Sequence, residues 1–214
     1  VSEYAACVAD GKCTPPHTDG KQSSSCGDYL GNNWTPQGPK AGREKHPINC
    51  VTHPQAAEYC SWVGGFLPTE AQWELAARGR CEENGGVATC KTGMRKYPWG
   101  NDAPFCKKHA VFVAGGAGCG ALITSASGVD SPAGAGPYGH RDLAGNVTEW
   151  TSDDYTKDFY GTPAATLPDP KNALFTIIKS PRGGGFKHPA DAMRAGARGE
   201  SQYAFDSLGL RCAH

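Results

Sequence analysis

Ten cysteines constrain the fold of this chain more than any other feature of its sequence. The count is even, no CxxC motif occurs, and no set of cysteines and histidines has the spacing of a zinc site. We therefore predict disulfides rather than metal ligation, although spacing alone does not give the pairing. Three pairs are close in sequence and bracket glycine-rich or polar loops: Cys7 and Cys13, Cys81 and Cys90, and Cys106 and Cys119.

Disulfides also constrain where such a chain folds. They form and persist in oxidising compartments, and each one stabilises a fold by up to a few kcal/mol, mainly by restricting the unfolded chain. The cysteine content therefore predicts an extracytoplasmic protein, which is secreted, periplasmic or on the cell surface.

Composition predicts a loop-rich chain with a packed core. The 29 glycines and 16 prolines make about a fifth of the 214 residues, against an ordinary share of about 12%. Twenty aromatic residues nevertheless supply apolar material for a core. The formal net charge is zero and no basic run occurs, which argues against a nucleic-acid partner. No apolar run approaches the ~18 residues that a membrane-spanning helix requires.

Two helices are predicted close together in the first half of the chain. The first begins after Thr52, which forms a capping-box pattern with Gln55, and ends before the glycine pair at 64–65. The second begins after Thr69, with Gln72 three residues later, and ends near Arg78. Strands are predicted to be short, and residues 175–178 (FTII) are the clearest candidate. The fold class predicted is α+β.

Residues 145–150 (GNVTEW) combine unusual requirements. Gly145 permits a positive φ, Asn146 and Glu149 carry oxygen ligands three residues apart, and Trp150 is a large apolar anchor. Converging oxygens suit Ca²⁺, which binds six to eight of them. The alternative is a tight turn in which Asn146 is left-handed and Glu149 is solvated. By spacing alone, this turn is favoured over a calcium site.

Several local motifs together resemble the formylglycine-generating-enzyme family, also called the sulfatase-modifying-factor domain. Their order and spacing match across nearly the whole chain. The motifs are LPTEAQWELAARG (67–79), YPWGN (97–101), YGHRDLAGNVTEW (138–150), RGGGF (182–186) and LGLRC (208–212).

The resemblance implies an irregular C-type-lectin-like fold with two main helices, short antiparallel strands and disulfide staples. It also implies one domain over residues 1–214. Members of the family normally begin several strands earlier, so the N-terminal strands are expected to be missing here. The family's bridge between a helix and the C-terminus falls on Cys60 and Cys212.

The resemblance also implies a calcium site. Family members bind Ca²⁺ at the turn that matches residues 145–150, so Asn146 and Glu149 would offer side-chain oxygens and Val147 its carbonyl. A second family site uses an Asp downstream of the YPWGN turn. No Asp lies between Asp102 and Asp130, and the second site is expected to be lost.

The sequence departs from the family where catalysis takes place. Family oxidases use two cysteines, five apart after the RGG turn, to bind Cu(I), a soft ion that thiolates suit. This chain has no cysteine between Cys119 and Cys212 and offers His188 and Met193 instead. We therefore expect no copper and assign no catalytic residue. His188 is interpreted as a surface histidine and Met193 as packing.

A ligand surface is predicted between the RGG turn and the closing strand. Aromatic and arginine side chains are enriched at recognition hot spots. An alternative is that Arg194 and Arg198 pair with Glu200 or Asp206 while the aromatic residues are core. The predicted surface consists of Phe186, His188, Arg194, Arg198, Tyr203 and Phe205.

Three functions are compatible with these features. The favoured one is a non-catalytic binding or ligand-display domain on a calcium-stabilised scaffold, which recognises a protein, peptide or glycan. A diverged oxidative enzyme is the second, with His188, Arg194 and Glu200 as its polar groups. The third is a structural or regulatory appendage of a larger protein.

Overall fold

Short elements joined by long loops make up the structure. The computed structural model describes residues 1–27, 30–82, 86, 94–129 and 131–214. Helices α1 to α4 span Ser2–Ala9, Ser24–Gly27, His53–Trp62 and Glu70–Arg78, and strands β1 to β4 span Trp34–Thr35, Gly38–Pro39, Thr148–Glu149 and Leu208–Gly209. Short 3-10 helices cover Phe159–Gly161, Pro163–Thr166 and Ala190–Met193. The α+β, loop-rich fold class is confirmed.

Both capping boxes form as the sequence predicts. The side chain of Thr52 accepts a hydrogen bond from the Gln55 backbone at the start of α3, and the Gln55 side chain accepts one from the Thr52 N–H. Thr69 and Gln72 make the same reciprocal pair at the start of α4. Each box satisfies two backbone N–H groups that have no partner within the helix, which explains where each helix begins.

Replacing Thr69 with alanine is expected to lower the free energy of unfolding by about 1 kcal/mol, the usual cost of losing an N-cap side chain. The measurement is urea denaturation at neutral pH with the disulfides oxidised. Ser61→Ala is the control, because Ser61 is an exposed residue of α3. Equal losses in the two variants would contradict the capping role.

The strands differ from the prediction in direction and place. Strands β1 and β2 are antiparallel, but β3 and β4 pair in parallel, with Thr148 opposite Leu208 and Glu149 opposite Gly209. Antiparallel strands are thus confirmed for β1 and β2, and the β3–β4 pair departs from them. A parallel pair needs a long connection between its strands, and residues 150–207 supply one.

Residues 175–178 form no strand, which corrects the clearest strand prediction. The side chain of Phe175 is 94% exposed and its φ is +58°. Its backbone N–H donates to Oδ2 of Asp154 at 2.7 Å instead of joining a ladder. A run of apolar and β-branched residues has the same sequence pattern in a strand and in a loop. Here the run is a loop, and a carboxylate binds the backbone at its first residue.

Four disulfides join described residues. They are Cys7–Cys13, Cys26–Cys50, Cys60–Cys212 and Cys106–Cys119. The bridge from α3 to the C-terminus and two of the three close pairs are thus confirmed. The predicted Cys81–Cys90 pair falls on Cys90, which lies outside the described residues. These bridges are consistent with an oxidising compartment. Across the described part of the chain, no helix has the length and apolar character to cross a membrane.

The largest apolar cluster lies between α1, α3 and the β3–β4 pair. Tyr4 stacks on Tyr59, with ring centroids 5.3 Å apart, and meets Trp34 edge-on. Trp150 is fully buried in the same cluster, and its Nε1 donates to the carbonyl of Val51 at 2.9 Å. The cluster fixes the end of β3, which carries the turn at 145–150.

The stability of the fold is expected to fall in acid through His53, the first residue of α3. Burial, then the charge of Lys179, lower the pKa of His53 from 6.5 to about 4. Between these two pH values the unfolded chain binds a proton that the folded chain does not. The contribution of His53 is therefore full above pH 6.5 and is lost as the pH falls towards 4.

Urea midpoints of the unmodified protein and of His53→Gln, measured at pH 7, 5.5 and 4.5, test this. We expect the unmodified protein to lose more stability than the variant over this range, by up to about 1.4 kcal/mol per pH unit. Comparison with the variant cancels the other titrating groups. Parallel losses would contradict the assignment to His53.

Candidate functional site

The turn at 145–150 is held from both sides by backbone hydrogen bonds. The N–H of Gly145 donates to the Gly183 carbonyl at 3.0 Å, and the N–H of Asn146 donates to the Val111 carbonyl at 2.8 Å. Gly145 has φ +83°, and a Cβ there would lie 2.6 Å from the Val111 oxygen. Only glycine fits this close approach.

Asn146 is buried and left-handed, with φ +63°. Its Oδ1 accepts from the backbone N–H of Ser125 at 2.9 Å, and its Nδ2 donates to the Ser125 carbonyl at 3.1 Å. The Asn146 side chain therefore bonds both backbone groups of Ser125, as a neighbouring strand would. These two bonds hold the loop around Ser125 against the turn. This is the turn interpretation with a specific partner.

Glu149 is buried and paired, rather than solvated. Its Oε2 accepts from Nε1 of Trp73 at 2.7 Å and from Nε of Arg211 at 2.6 Å, and its Oε1 accepts from Nη2 of Arg211 at 2.7 Å. Desolvation opposes the charge of Arg211, but the Glu149 carboxylate offsets it and leaves the pKa of Arg211 raised. This bidentate ion pair ties β3 to the closing segment.

These contacts bear on whether the turn suits calcium. Both carboxylate oxygens of Glu149 already accept from donors, and the Arg211 guanidinium bonds to each of them. Oδ1 of Asn146 is likewise bonded to Ser125. The two side chains assigned to Ca²⁺ are therefore bonded to protein groups and, with Val147, line one cavity, so the calcium site stays a prediction. Within the described ranges, no group of three or more His, Cys, Asp or Glu side chains is placed to hold a metal.

The segment after the glycine turn closes over an apolar cluster. Phe186 and Met193 are both fully buried, and Met193 packs with Tyr97, Phe112 and neighbouring alanines. The interpretation of Met193 as packing is confirmed. His188 is only partly exposed, and its Nδ1 accepts from the Gly185 N–H at 2.9 Å. His188, which was expected to be a surface histidine, therefore holds the backbone of the glycine turn through this hydrogen bond.

Arg198 forms an ion pair that the sequence did not indicate. Its Nε and Nη2 donate to the two carboxylate oxygens of Glu70, each at 2.7 Å, so the predicted partners Glu200 and Asp206 are wrong. Hydrogen bonding to Glu70 raises the pKa of Arg198 above its ordinary value. Asp206 instead pairs with Lys187. The alternative that Arg198 forms an ion pair is therefore confirmed, but the acidic partner that it named is wrong.

A buried arginine lies at the centre of this charged cluster. Arg182 is 1% exposed, lies 3.5 Å from Oε1 of Glu70 and donates to Glu74. Its Nη1 also donates to the Ala197 carbonyl at 2.9 Å, and its guanidinium stacks on Trp73. Helix α4 thus supplies two carboxylates and one aromatic ring that position the segment from 182 to 198.

The six residues of the predicted ligand surface do not form one surface. Phe186 is buried and Arg198 is bonded to Glu70. Arg194 and Tyr203 are exposed, and the rings of His188 and Phe205 lie 6.5 Å apart. Phe186 is therefore out of reach of a ligand, and Arg198, which is partly exposed like His188 and Phe205, is held by its ion pair with Glu70.

Three adjoining cavities of about 390, 410 and 530 Å³ run along the closing segment. All three are lined by Leu210. The first and second also share Pro47 and Ser127, and the second and third share Tyr59. We call these three adjoining cavities together the Leu210 groove. Sequence reasoning missed it because its walls come from six segments that are distant in sequence, although the LGLRC motif marked one of them.

The two ends of the Leu210 groove differ in chemistry. The first cavity is lined by Arg141, Asp142 and the Glu149–Arg211 pair. The third is lined by Trp62 and other α3 residues, together with the C-terminal residues. Charged side chains therefore line the first cavity, and in the third two aromatic side chains lie with Glu3 and Arg211. Such a surface offers both charged and aromatic groups to a ligand.

Comparisons with solved structures show the fold. The Pseudomonas aeruginosa protein PvdO aligns with 82% of this chain and 62% of its own, at 22% identity and TM-score 0.58. Treponema denticola variable protein 1 aligns with 85% of this chain and 76% of its own, at 19% identity and TM-score 0.58. The architecture is therefore that of the formylglycine-generating-enzyme-like fold.

Curated relatives of this chain include formylglycine-generating enzymes and a protein kinase. It is 33% identical over 174 residues to serine/threonine-protein kinase pkn1 of Chlamydia pneumoniae, covering 80% of this chain and 24% of the kinase. It is 31% identical to the formylglycine-generating enzyme of Thermomonospora curvata (71% of this chain) and 32% identical to that of Mus musculus (86% of this chain). The chain spans 49% of the length of each of these two enzymes. The family model "Sulfatase-modifying factor enzyme 1-like domain" matches residues 1–214. The chain therefore belongs to the family of formylglycine-generating-enzyme-like, or sulfatase-modifying-factor, domains.

Proposed function

We propose that this chain is a non-catalytic binding domain that holds an extended peptide in the Leu210 groove. The observation that carries the proposal is the chemistry of the segment after the glycine turn. Where the resemblance implies two copper-binding thiols, Met193 is buried among apolar side chains and His188 accepts a hydrogen bond from Gly185. The oxidase chemistry lacks its ligands in a fold that is otherwise retained.

The Leu210 groove supports binding through its shape and its mixture of side chains. Leu210, Pro47 and Tyr59 give it an apolar floor, and exposed charges of both signs stand on its rim at Glu3 and Lys45. An extended peptide presents side chains alternately to a floor and to a rim. Aromatic and arginine residues at the two ends are the types that dominate binding energy.

A selection from a displayed library of random peptides, followed by calorimetric titration of the best peptide, tests the proposal. Ser127→Trp fills the junction of two cavities and is expected to weaken binding at least ~10-fold. Ser24→Trp is the control, since Ser24 is also an exposed serine but lies on α2, away from the groove. We expect less than ~2-fold change in the control. Equal loss in both variants, or no enrichment, would contradict the proposal.

A diverged enzyme is less well supported by the geometry. The polar groups suggested for such a site are His188, Arg194 and Glu200. Arg194 and Glu200 are exposed, and none of the hydrogen bonds or ion pairs among the described residues joins the three. Their side chains therefore do not form a converged set.

A role as part of a larger protein is the second candidate. The kinase relative favours it, because its matched region is only 24% of that protein. The mass of the native gene product, measured from its source, tests it. An extracytoplasmic location is part of the same proposal, and the four disulfides support it. Reduced thiols in the native protein would contradict that location.

A further inference from the structure

A second depression, away from the Leu210 groove, is lined mainly by cations. This cavity of about 400 Å³ is bounded by Arg78, Met94, Arg95, Lys96, Arg194 and Gly196. Four of these six described residues are positively charged and none is acidic. We call it the basic cleft. Nothing in the binding role proposed above uses it.

The backbone holds two of these cations side by side. The N–H of Ala195 donates to the carbonyl of Lys96 at 2.9 Å, which joins the two segments that carry Lys96 and Arg194. Nε of Arg194 donates to the Asp191 carbonyl at 2.9 Å. That bond orients the guanidinium, whose terminal nitrogens carry four further N–H groups. Backbone hydrogen bonds therefore fix the positions of the two segments that carry Lys96 and Arg194.

Glycine at position 196 makes room for a third cation. An ideal Cβ at Gly196 would collide with Nη2 of Arg78, so the arginine packs directly on the bare backbone. Glu74, which lines the adjoining cavity, lies 3.1 Å from Nε of Arg78 and also binds Arg182. The Arg78 guanidinium thus lies against the wall of the cleft at Gly196.

An apolar depression continues from the basic cleft. A cavity of about 500 Å³ shares Arg78, Met94 and Gly196 with it and is otherwise lined in part by Leu75 and Tyr160. These two side chains are 41% and 42% exposed. A ligand bound across both cavities would place a charged group among cations and an apolar body beside Leu75.

We propose that the basic cleft and this apolar depression together bind a ligand in which a phosphate or sulfate ester is attached to an aromatic body. Arginine and lysine bind such tetrahedral oxyanions through charge-assisted hydrogen bonds. Several cations around one cavity match a group with several charged oxygens better than they match a single carboxylate. The site is independent of the peptide-binding proposal and stands if that proposal fails.

Calorimetric titration with phenyl phosphate, phenyl sulfate, benzoate and inorganic phosphate, at low and at physiological salt, tests the inference. We expect phenyl phosphate or phenyl sulfate to bind more tightly than benzoate, and binding to weaken as salt rises. Whichever of the two esters binds more tightly shows whether the site prefers phosphate or sulfate. The double variant Lys96→Gln/Arg194→Gln should weaken binding at least ~10-fold.

Lys107→Gln/Lys108→Gln is the matched control, because it removes the same charge from two exposed lysines outside the cleft. Its affinity should change less than ~2-fold. Leu75→Ser should weaken phenyl phosphate while leaving inorganic phosphate unchanged. Circular dichroism confirms that each variant is folded. Absence of binding to the folded protein, equal losses in the two double variants, or tighter binding of benzoate would overturn the inference.

Discussion

Replacing Glu70 with glutamine is expected to lower the free energy of unfolding by about 3–5 kcal/mol, the cost of removing one partner from a buried ion pair. Glu70 is fully buried, accepts two hydrogen bonds from Arg198 and lies 3.5 Å from Arg182. A neutral amide leaves two arginines beside it with less compensating charge. The measurement is equilibrium urea denaturation with the disulfides oxidised.

Glu58→Gln is the control for this change, because Glu58 is an exposed residue of α3. Its loss should stay within about 0.5 kcal/mol. The Glu70 variant should also expose the segment from 182 to 198, which hydrogen exchange of the Gly199 amide would report. A loss below about 1 kcal/mol would show that the charged cluster does not hold this segment in place.

Removing the Cys60–Cys212 bridge with a double alanine variant is expected to cost about 5 kcal/mol. The bridge joins residues 152 apart, and restricting so long a loop removes much entropy from the unfolded chain. It also fastens the C-terminal segment, which carries Arg211 and lines the Leu210 groove. Thermal and urea unfolding under non-reducing conditions measure the loss.

Removing the Cys7–Cys13 bridge in the same way provides the comparison. Its two cysteines are 6 residues apart, so the chain-entropy argument gives about 2 kcal/mol. The longer bridge should therefore cost about twice as much as the shorter one. The reverse order would mean that strain or local packing, rather than loop length, decides how these bridges stabilise the fold.

The sequence was most informative where the physics is local. Each capping box lies within four residues, so Thr52 and Thr69 can be assigned as N-caps from their immediate neighbours alone. Close cysteine pairs such as Cys7 and Cys13 were predicted for the same reason. The long Cys60–Cys212 bridge was not predictable from spacing and came only from the family resemblance.

Long-range partners were where the sequence interpretation failed. The tight-turn interpretation placed Glu149 in solvent, but Arg211, 62 residues away, donates to both of its oxygens. Arg198 was matched to neighbouring acids, while its partner Glu70 lies 128 residues away. Charge pairing depends on which segments meet, and one sequence carries no record of that. The Leu210 groove was missed for the same reason.

The apolar run at 175–178 illustrates a different limit. β-Branched and aromatic residues favour a strand wherever a neighbour offers a ladder. Here the carboxylate of Asp154 takes the Phe175 N–H, and Lys179 donates to the other oxygen at 2.6 Å. Side-chain competition of this kind overrides propensity, and residue type alone does not reveal it.

Our central proposal is that this family scaffold binds a ligand and does not oxidise a cysteine. Mass spectrometry of a cysteine-containing peptide, after incubation with Cu(I), oxygen, a mild electron donor and the folded protein, tests it most directly. The formylglycine-generating enzyme of Thermomonospora curvata serves as the positive control. We predict that the enzyme converts the peptide thiol to an aldehyde and that this chain leaves it intact. Aldehyde formed by this chain at a rate near that of the enzyme would contradict the proposal.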